Sequence, residues 1–183
     1  QGGEIPQDWL TQADHLGLRS ARSVTFPSVV IAAGRPLLVQ VKAVESPYPL
    51  RGHLRVETPA GEVGQVPADG EAWLEGRLRD RLGAQIGETE IRLGEVGLRA
   101  AGVILDEPDR GGNLFQLAPR LMINYRDASR SGLLGPASRV KHRLLIAGDA
   151  SQVKAMRSWL ADRLAPGSEL ADLENARPEL RTA

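Results

Sequence analysis

The stretch from Leu105 to Asp127 constrains the fold of this chain most, because it interrupts regular structure and then resumes it within a short span. The residues before it read as the end of a strand, and Pro108, which has no amide hydrogen to donate, should stop strand pairing. Gly111 and Gly112 allow backbone conformations closed to other residues. Leu121–Ile123 then predicts a short buried strand. The stretch therefore favours a structural crossing between two parts of the molecule over an active-site loop.

Strand and helix patterns alternate along the rest of the chain. Strands are predicted over residues 21–33, 37–44, 89–93, 98–105 and 138–147, with a short one at Leu54 and Val56 and a last one at 168–173. Helices are predicted from Pro6 to Gly17 and from Asp149 to Pro166, and Ala72-Trp73-Leu74 is predicted to lead into a helix that carries Leu78 and Leu82 and ends at Gly83. Thr58–Gly70 is rich in glycine and proline and predicts a loop. Pro27 within its strand predicts an edge or a bulge.

Two proline- and glycine-rich segments, Ser46–Gly52 and Gly132–Pro136, predict passages between two lobes and could let one lobe shift on the other. The predicted class is α+β. One lobe, an α/β sandwich, is discontinuous and comprises residues 1–50 and 136–183. A smaller, mostly β lobe, residues 51–135, is inserted in it.

Composition restricts the function. The 183 residues are 42% apolar and 25% charged, which is typical of a folded globular chain. A net charge of zero argues against nucleic-acid binding, and the absence of cysteine excludes disulfides and thiolate metal ligands. No apolar run approaches the roughly 18 residues that span a bilayer, and no signal peptide heads the chain. The start at Gln1 rather than Met fits a soluble piece of a longer protein.

The sequence contains no recognisable catalytic, cofactor-binding or metal-binding motif. The histidines His15, His53 and His142 are not spaced as metal ligands, and His142, on the apolar face of its strand, predicts a hydrogen-bonded core residue. G-x-S-x-G, phosphate-binding and dinucleotide-binding motifs are absent. The acidic group Asp106, Glu107 and Asp109 could hold Ca²⁺, but a solvated acidic turn paired with Arg110 or Arg120 is favoured. We therefore predict no catalytic residue, no cofactor and no metal.

The same stretch carries a family resemblance. The positions that carry it are Glu107, Pro108, Asp109, Gly111, Phe115, Ala118, Pro119, Arg120 and Asn124. Other passages agree in order and spacing, among them residues 5–10, 41–44 and 138–140. Together they resemble the periplasmic domain of FtsX-like (MacB-type) ABC-transporter permeases, most of all the YbbP-type branch, whose operons carry a lysophospholipase or thioesterase.

The resemblance implies a porter-like discontinuous lobe with an inserted β-rich lobe, in the periplasmic part of a bacterial inner-membrane protein. It implies a non-catalytic domain that transmits ATP-driven conformational change to a periplasmic partner or a lipid-like, hydrophobic cargo. The implied partners are a cytoplasmic ATPase subunit acting through the permease membrane helices, a second permease copy, and a periplasmic lysophospholipase or thioesterase. Two alternatives remain open: a periplasmic module that binds a small ligand between its lobes, and an esterase.

Overall fold

A computed structural model describes residues 3–110, 118–135 and 138–171. The helices of this part are α1 (Gln7–His15), α2 (Gly76–Leu82), α3 (Tyr125–Arg130) and α4 (Ala150–Ala161). Its strands are β1 (Arg19–Ala32), β2 (Arg35–Val44), β3 (Arg55–Thr58), β4 (Gly61–Val63), β5 (Glu71–Glu75), β6 (Glu90–Leu93), β7 (Val96–Asp106), β8 (Arg120–Asn124) and β9 (Lys141–Ala147). The chain is thus a mixed α and β fold dominated by its sheet.

Six of the strands close on themselves in a ring. Strand β1 pairs with β2, β2 with β8, β8 with β5, β5 with β7, β7 with β6, and β6 returns to β1. The β2–β8 and β5–β7 pairs are parallel and the others are antiparallel. Strands β3 and β9 extend the sheet from β7 and β1, and β4 pairs with β3. The six-stranded ring therefore contains two parallel pairs whose members lie far apart in sequence.

Alternate residues of every ring strand form one apolar core, as expected for side chains that face the inside of the ring. Phe26, Leu74 and Ile91 are among the largest fully buried side chains in it. Helices α2 and α3 pack against the same core through Leu78 and Tyr125. The strand contributions are Val24, Phe26, Val30 and Ala32 of β1, Val39, Val41 and Ala43 of β2, Ala72 and Leu74 of β5, Ile91 and Leu93 of β6, Leu98 and Ala100 of β7, and Leu121 and Ile123 of β8.

Residues of the opposite parity form a second core on the outer face of the ring, which includes Val44, Trp73 and Met122. The segment between β2 and β3 folds over this face and contributes Tyr48 and Leu50. At Gly102 an added Cβ would lie 2.7 Å from Val56 Cγ1 and 3.0 Å from Trp73 Cδ1, so β3 and β5 can approach β7 closely only with glycine there.

Helices α1 and α4 pack against each other at the start of the sheet. Their contact is built on Ala13 and Met156, with Leu18 and Ile146 packed against the pair. The Gln152 side chain accepts a hydrogen bond from the Asp149 amide at 3.0 Å and, with the reciprocal bond, forms a capping box that starts α4. This confirms the predicted cap at Asp149.

Most elements agree with the sequence expectations. Pairing of β7 stops at Asp106, before Pro108, and Gly83 ends α2 in a left-handed conformation with φ of 61°. In β1, pairing with β9 ends at Thr25 and pairing with β6 begins at Val30, so Pro27 occupies a stretch of edge where no strand of the described chain pairs. The predicted edge position of Pro27 is confirmed.

Several expectations were wrong. The predicted loop 58–70 contains the short strand β4. Ala72-Trp73-Leu74 leads into the predicted helix α2, but as part of strand β5, which was not predicted. Helix α3 was missed, α4 ends at Ala161 rather than at Pro166, and residues 168–171 form no strand. For β5 the physical reason is tertiary: it lies between β7 and β8, and pairing on both edges makes these few residues a strand.

The sheet joins both predicted lobes, since β2 of the first pairs with β8 of the second, and β1 pairs with β6. The division at residues 50/51 and 135/136 stays a prediction. Among the described residues, no helix is long and apolar enough to cross a membrane.

Candidate functional site

A buried group of charged side chains joins β2, the segment after it and the turn after β7. Lys42 Nζ lies 2.9 Å from Glu107 Oε1 and 2.6 Å from Asp109 Oδ1, and donates to the Tyr48 hydroxyl at 3.0 Å. Tyr48 in turn donates to Asp109 Oδ1 at 2.7 Å. The Lys42 and Glu107 side chains are only 4% and 1% exposed, whereas Asp109 is 33% exposed.

Arg120 completes this group, which we call the charged cluster: Lys42, Tyr48, Glu107, Asp109 and Arg120. Arg120 Nε donates to Glu107 Oε2 at 3.0 Å, so one carboxylate binds two buried cations. The Arg120 Nη1 atom is also buried and has no hydrogen-bond partner within the described ranges.

Strand register explains why the two cations lie together. In the parallel β2–β8 pair, Gln40 lies opposite Arg120 and Lys42 is the next residue of β2 on the same face. Both side chains therefore lie on the outer face of the ring, beside the apolar residues that include Tyr48. Two cations on neighbouring strands under an apolar cover require anionic partners, and the turn after β7 supplies them.

Glu75 makes a second connection between the turn after β7 and strand β8, through Arg110 and Arg120. Its Oε2 accepts the backbone N–H of Arg120 at 2.8 Å and lies 2.5 Å from Arg110 Nη2, while its Oε1 lies 2.6 Å from Arg77 Nε. Burial alone would raise the pKa of Glu75, but these hydrogen bonds outweigh it and lower the pKa below the ordinary value.

The surroundings in the cluster shift the pKa values of Asp109 and Tyr48 in opposite directions. Burial would raise the pKa of Asp109, but the Lys42 ammonium and the hydrogen bonds from Lys42 and Tyr48 outweigh burial and lower the pKa. Burial, and then the Asp109 carboxylate, raise the pKa of the Tyr48 hydroxyl, which stays protonated and donates. Neither Asp109 nor Tyr48 is therefore poised to exchange a proton near neutral pH. The arrangement is suited to holding chain segments together.

The predicted motif residues fall into two groups. Glu107, Asp109 and Arg120 meet in the charged cluster. Pro108 lies against Gly52, where an added Cβ would be 2.6 Å from Pro108 Cβ and φ is +72°, so glycine is required for this contact.

The other motif residues flank β8. Ala118 accepts a hydrogen bond from Arg77 Nη2 at 3.4 Å, and the Pro119 carbonyl accepts from the Gln40 amide at 2.9 Å. Asn124 caps α3 by accepting from the Arg126 amide at 2.9 Å, and donates to the Pro67 carbonyl at 2.9 Å. Gly111 and Phe115 lie outside the described residues.

The acidic turn differs from the sequence expectation. It was predicted to be solvated, yet the Glu107 side chain is buried; its pairing with Arg120 is as predicted, while Arg110 binds Glu75 instead. In the described part of the chain, no three carboxylate or imidazole residues are grouped so that they could hold a metal ion. His142 is half-buried and its Nδ1 has no hydrogen-bond partner in the described structure, contrary to the predicted bond, and burial lowers its pKa.

Neither Lys42 nor Tyr48 was predicted as a site residue, although Lys42 lies in the passage 41–44 that shares the family resemblance. A signal for Lys42 was present: it is one of three lysines and stands among the apolar residues of Leu37–Val44. A buried lysine requires a buried acid, and the acidic turn at Glu107 was the evident candidate. Tyr48 had no such signal, because a tyrosine between two prolines is equally compatible with an exposed turn.

This chain is similar in sequence to a known protein. No family model matches the chain. An uncharacterized ABC transporter permease, YbbP of Escherichia coli strain K12, is 38% identical over 171 residues, which are 93% of this chain. The chain spans only 21% of that relative's length.

The fold also resembles a solved structure, the extracellular domain of the noncanonic ABC-type transporter YknZ from Gram-positive bacteria. The two superpose with a TM-score of 0.59 and 12% sequence identity, over 87% of this chain and 84% of that one. The chain is therefore similar in sequence to part of an ABC transporter permease and has the fold of an extracellular transporter domain, in agreement with the resemblance in its sequence.

Proposed function

We propose that this domain is a stiff, non-catalytic relay on the periplasmic side of a bacterial inner-membrane permease. ATP binding by a cytoplasmic ATPase subunit moves the membrane helices of the permease, and the domain passes that movement to a periplasmic partner or a lipid-like cargo. A second permease copy and a lysophospholipase or thioesterase are the partners of this proposal. The permease kinship supports the setting, and the charged cluster supports the relay.

The charged cluster carries the proposal because it lies where the two predicted lobes meet. Lys42 and Tyr48 come from residues 1–50, and Glu107, Asp109 and Arg120 come from residues 51–135. Separating the two parts would leave charges buried without partners, which costs several kcal/mol, about 3–5 for one broken pair. The parallel β2–β8 pairing would have to part as well. The two parts are therefore expected to move as one body, and not to shift on each other at Ser46–Gly52 and Gly132–Pro136.

Helices α1 and α4 are the natural place for movement to enter. They pack against each other and on the first residues of the sheet, so a displacement of both helices would carry β1 and β9 with it. The motif residues Pro108, Pro119 and Asn124 would act by fixing the turns between the strands.

The relay is tested with spin labels in the full-length permease bound to its ATPase subunit. This chain has no cysteine, so Lys154→Cys on α4 and Glu62→Cys on β4 label the two predicted parts selectively within the domain. A third spin label is attached to the membrane-embedded part of the permease. We expect the distance between the two domain labels to stay constant between the nucleotide-free and ATP-bound states, while their distances to the third label change. A change between the two domain labels, or none anywhere, would contradict the relay.

A matched variant tests the cluster itself. Lys42→Met together with Glu107→Gln removes the charge pair without changing side-chain length greatly. With this double variant, the distance between the two domain labels should broaden while ATP hydrolysis continues. An unchanged distribution of distances between the two domain labels would contradict a role of the charged cluster in the relay.

A further inference from the structure

One face of the β1–β2 hairpin exposes apolar side chains that belong to none of the core clusters of the described chain. Val29, Ile31 and Leu38 are 51%, 46% and 55% exposed. Val29 lies opposite Leu38 and Ile31 opposite Pro36 in the antiparallel register, so the four form one block on a single face. We call this block the hairpin patch.

Cations flank the hairpin patch on the other edge of β1. Arg92 lies opposite Ile31, Lys141 opposite Thr25 and Arg143 opposite Ser23, so all three share the face of the patch. Lys141 lies beside Thr25, and Thr25 precedes Val29 by four residues, or about 13 Å along β1.

These cations have no acidic partner among the described residues, whereas several other arginines of the domain do. Arg22, Arg55, Arg99 and Arg130, for example, each form an ion pair. Arg92, Lys141 and Arg143 are exposed and form none with any described residue. The nearby acid on this face, Glu90, lies opposite Arg99, but Arg99 pairs with Glu71, so Glu90 offsets one of the three cations. The patch therefore has a net positive flank.

The flat shape of the hairpin patch argues against a small-molecule ligand. A flat pair of strands cannot enclose a small ligand, since ligand sites bury most of the ligand surface in a cavity. The patch lies in the half of β1 that is remote from α1 and α4, roughly 33–40 Å along the strand from Arg19. If those helices lead to the membrane, as the proposed function holds, the patch lies away from the lipid.

We propose that the hairpin patch, with Arg92, Lys141 and Arg143, is the docking surface for a periplasmic protein that presents apolar side chains beside carboxylates. The inference rests on the proposed function for its setting. The three exposed side chains place the contact in the transient class, below about 1,200 Å² of total buried surface. The cations steer the encounter and select an acidic partner.

The test is photo-crosslinking in living cells with the full-length permease. A photoreactive phenylalanine derivative replaces Leu38, and in a matched control it replaces Leu105, which is 49% exposed at the far end of β7. We expect Leu38 to yield an adduct with one protein whose crosslinked peptide carries apolar residues next to Asp or Glu. The double change Arg92→Glu and Lys141→Glu should lower the yield about tenfold. Reversing the partner's carboxylate to lysine should restore it.

The other outcomes overturn the docking surface. An adduct with lipid alone would assign the patch to the membrane, and an adduct with a second copy of this chain would assign it to self-assembly. Equal yields from Leu38 and Leu105, or a yield that the charge reversal leaves unchanged, would exclude a specific acidic partner. If the spin-label distances still respond to ATP in that case, the relay stands without this surface.

Discussion

At the scale of single residues, Glu107 is the centre of the charged cluster because it binds both Lys42 and Arg120. Glu107→Gln leaves two buried cations short of a charge, so we expect a loss of about 3–5 kcal/mol in the free energy of unfolding. Lys42→Met should cost less, because Glu107 keeps Arg120 and Asp109 is partly solvated. Urea unfolding of the chain measures both. Glu62→Gln, in the exposed Arg55–Glu62 pair, is the control and should change little. Equal effects of Glu107→Gln and Glu62→Gln would contradict this account.

Asp109 gives the cluster a predictable dependence on pH. Its folded-state pKa lies below the ordinary value of 3.8, so its contribution is complete above that value and is lost as the pH falls through the folded pKa. Between pH 7 and pH 3 the free energy of unfolding should therefore fall less for Asp109→Asn than for the native chain. Asp14→Asn, at an exposed position of α1, is the control. If the free energy of unfolding fell equally with pH for Asp109→Asn and for the native chain, the lowered pKa of Asp109 would be contradicted.

At the scale of elements, helix α3 depends on one cap. Asn124 accepts from the Arg126 amide and donates to the Pro67 carbonyl. Asn124→Ala removes both bonds and should cost about 0.5–2 kcal/mol for the cap alone. Asn124→Asp keeps an acceptor for the cap but removes the donor to Pro67. Thermal unfolding should therefore place Asn124→Asp between the native chain and Asn124→Ala; identical midpoints for the two variants would exclude a role for the cap.

The contact of β3 and β5 with β7 depends on a missing side chain at Gly102. Gly102→Ala places a methyl group 2.7 Å from Val56 Cγ1 and should destabilise the chain by about 1–3 kcal/mol. Gly76→Ala, where nothing lies within 4 Å of the added atom, is the matched control and should be neutral or stabilising. Denaturant midpoints compare the two. If Gly102→Ala is tolerated as well as Gly76→Ala, the close approach is not specific.

Elements were predictable where local pattern and tertiary context agree. The alternation of β9 and the apolar stripe of α4 are visible in the sequence and are present in the structure. Strand β5 is different: Glu71–Glu75 is followed directly by the helix Gly76–Leu82, and only its pairing with β7 and β8 makes it a strand. The acidic turn of the candidate site could be predicted, but its burial could not, because burial arises from a parallel pairing between distant strands.

At the scale of the whole molecule, the continuous sheet predicts cooperative unfolding. Trp73 lies in the predicted inserted lobe, and Trp9 and Trp159 in the other. With Trp9→Phe and Trp159→Phe, fluorescence reports on Trp73; with Trp73→Phe, it reports on the α1–α4 contact. We expect both probes and far-UV circular dichroism to give one urea midpoint, because strands from both parts share the ring. Two separate midpoints would show that the predicted lobes are independently stable units.

The wide spacing of Lys42 and Glu107 also matters while the protein is being made. Glu107 follows Lys42 by 65 residues, so at about 5–20 residues per second the ribosome needs roughly 3–13 s to add it. Throughout that interval the nascent β1–β2 hairpin carries an ammonium group whose carboxylate has not been synthesised, beside apolar residues still awaiting β8. A chaperone that recognises exposed apolar hairpins would meet this one in that window, and translation pauses between the two codons would lengthen its exposure.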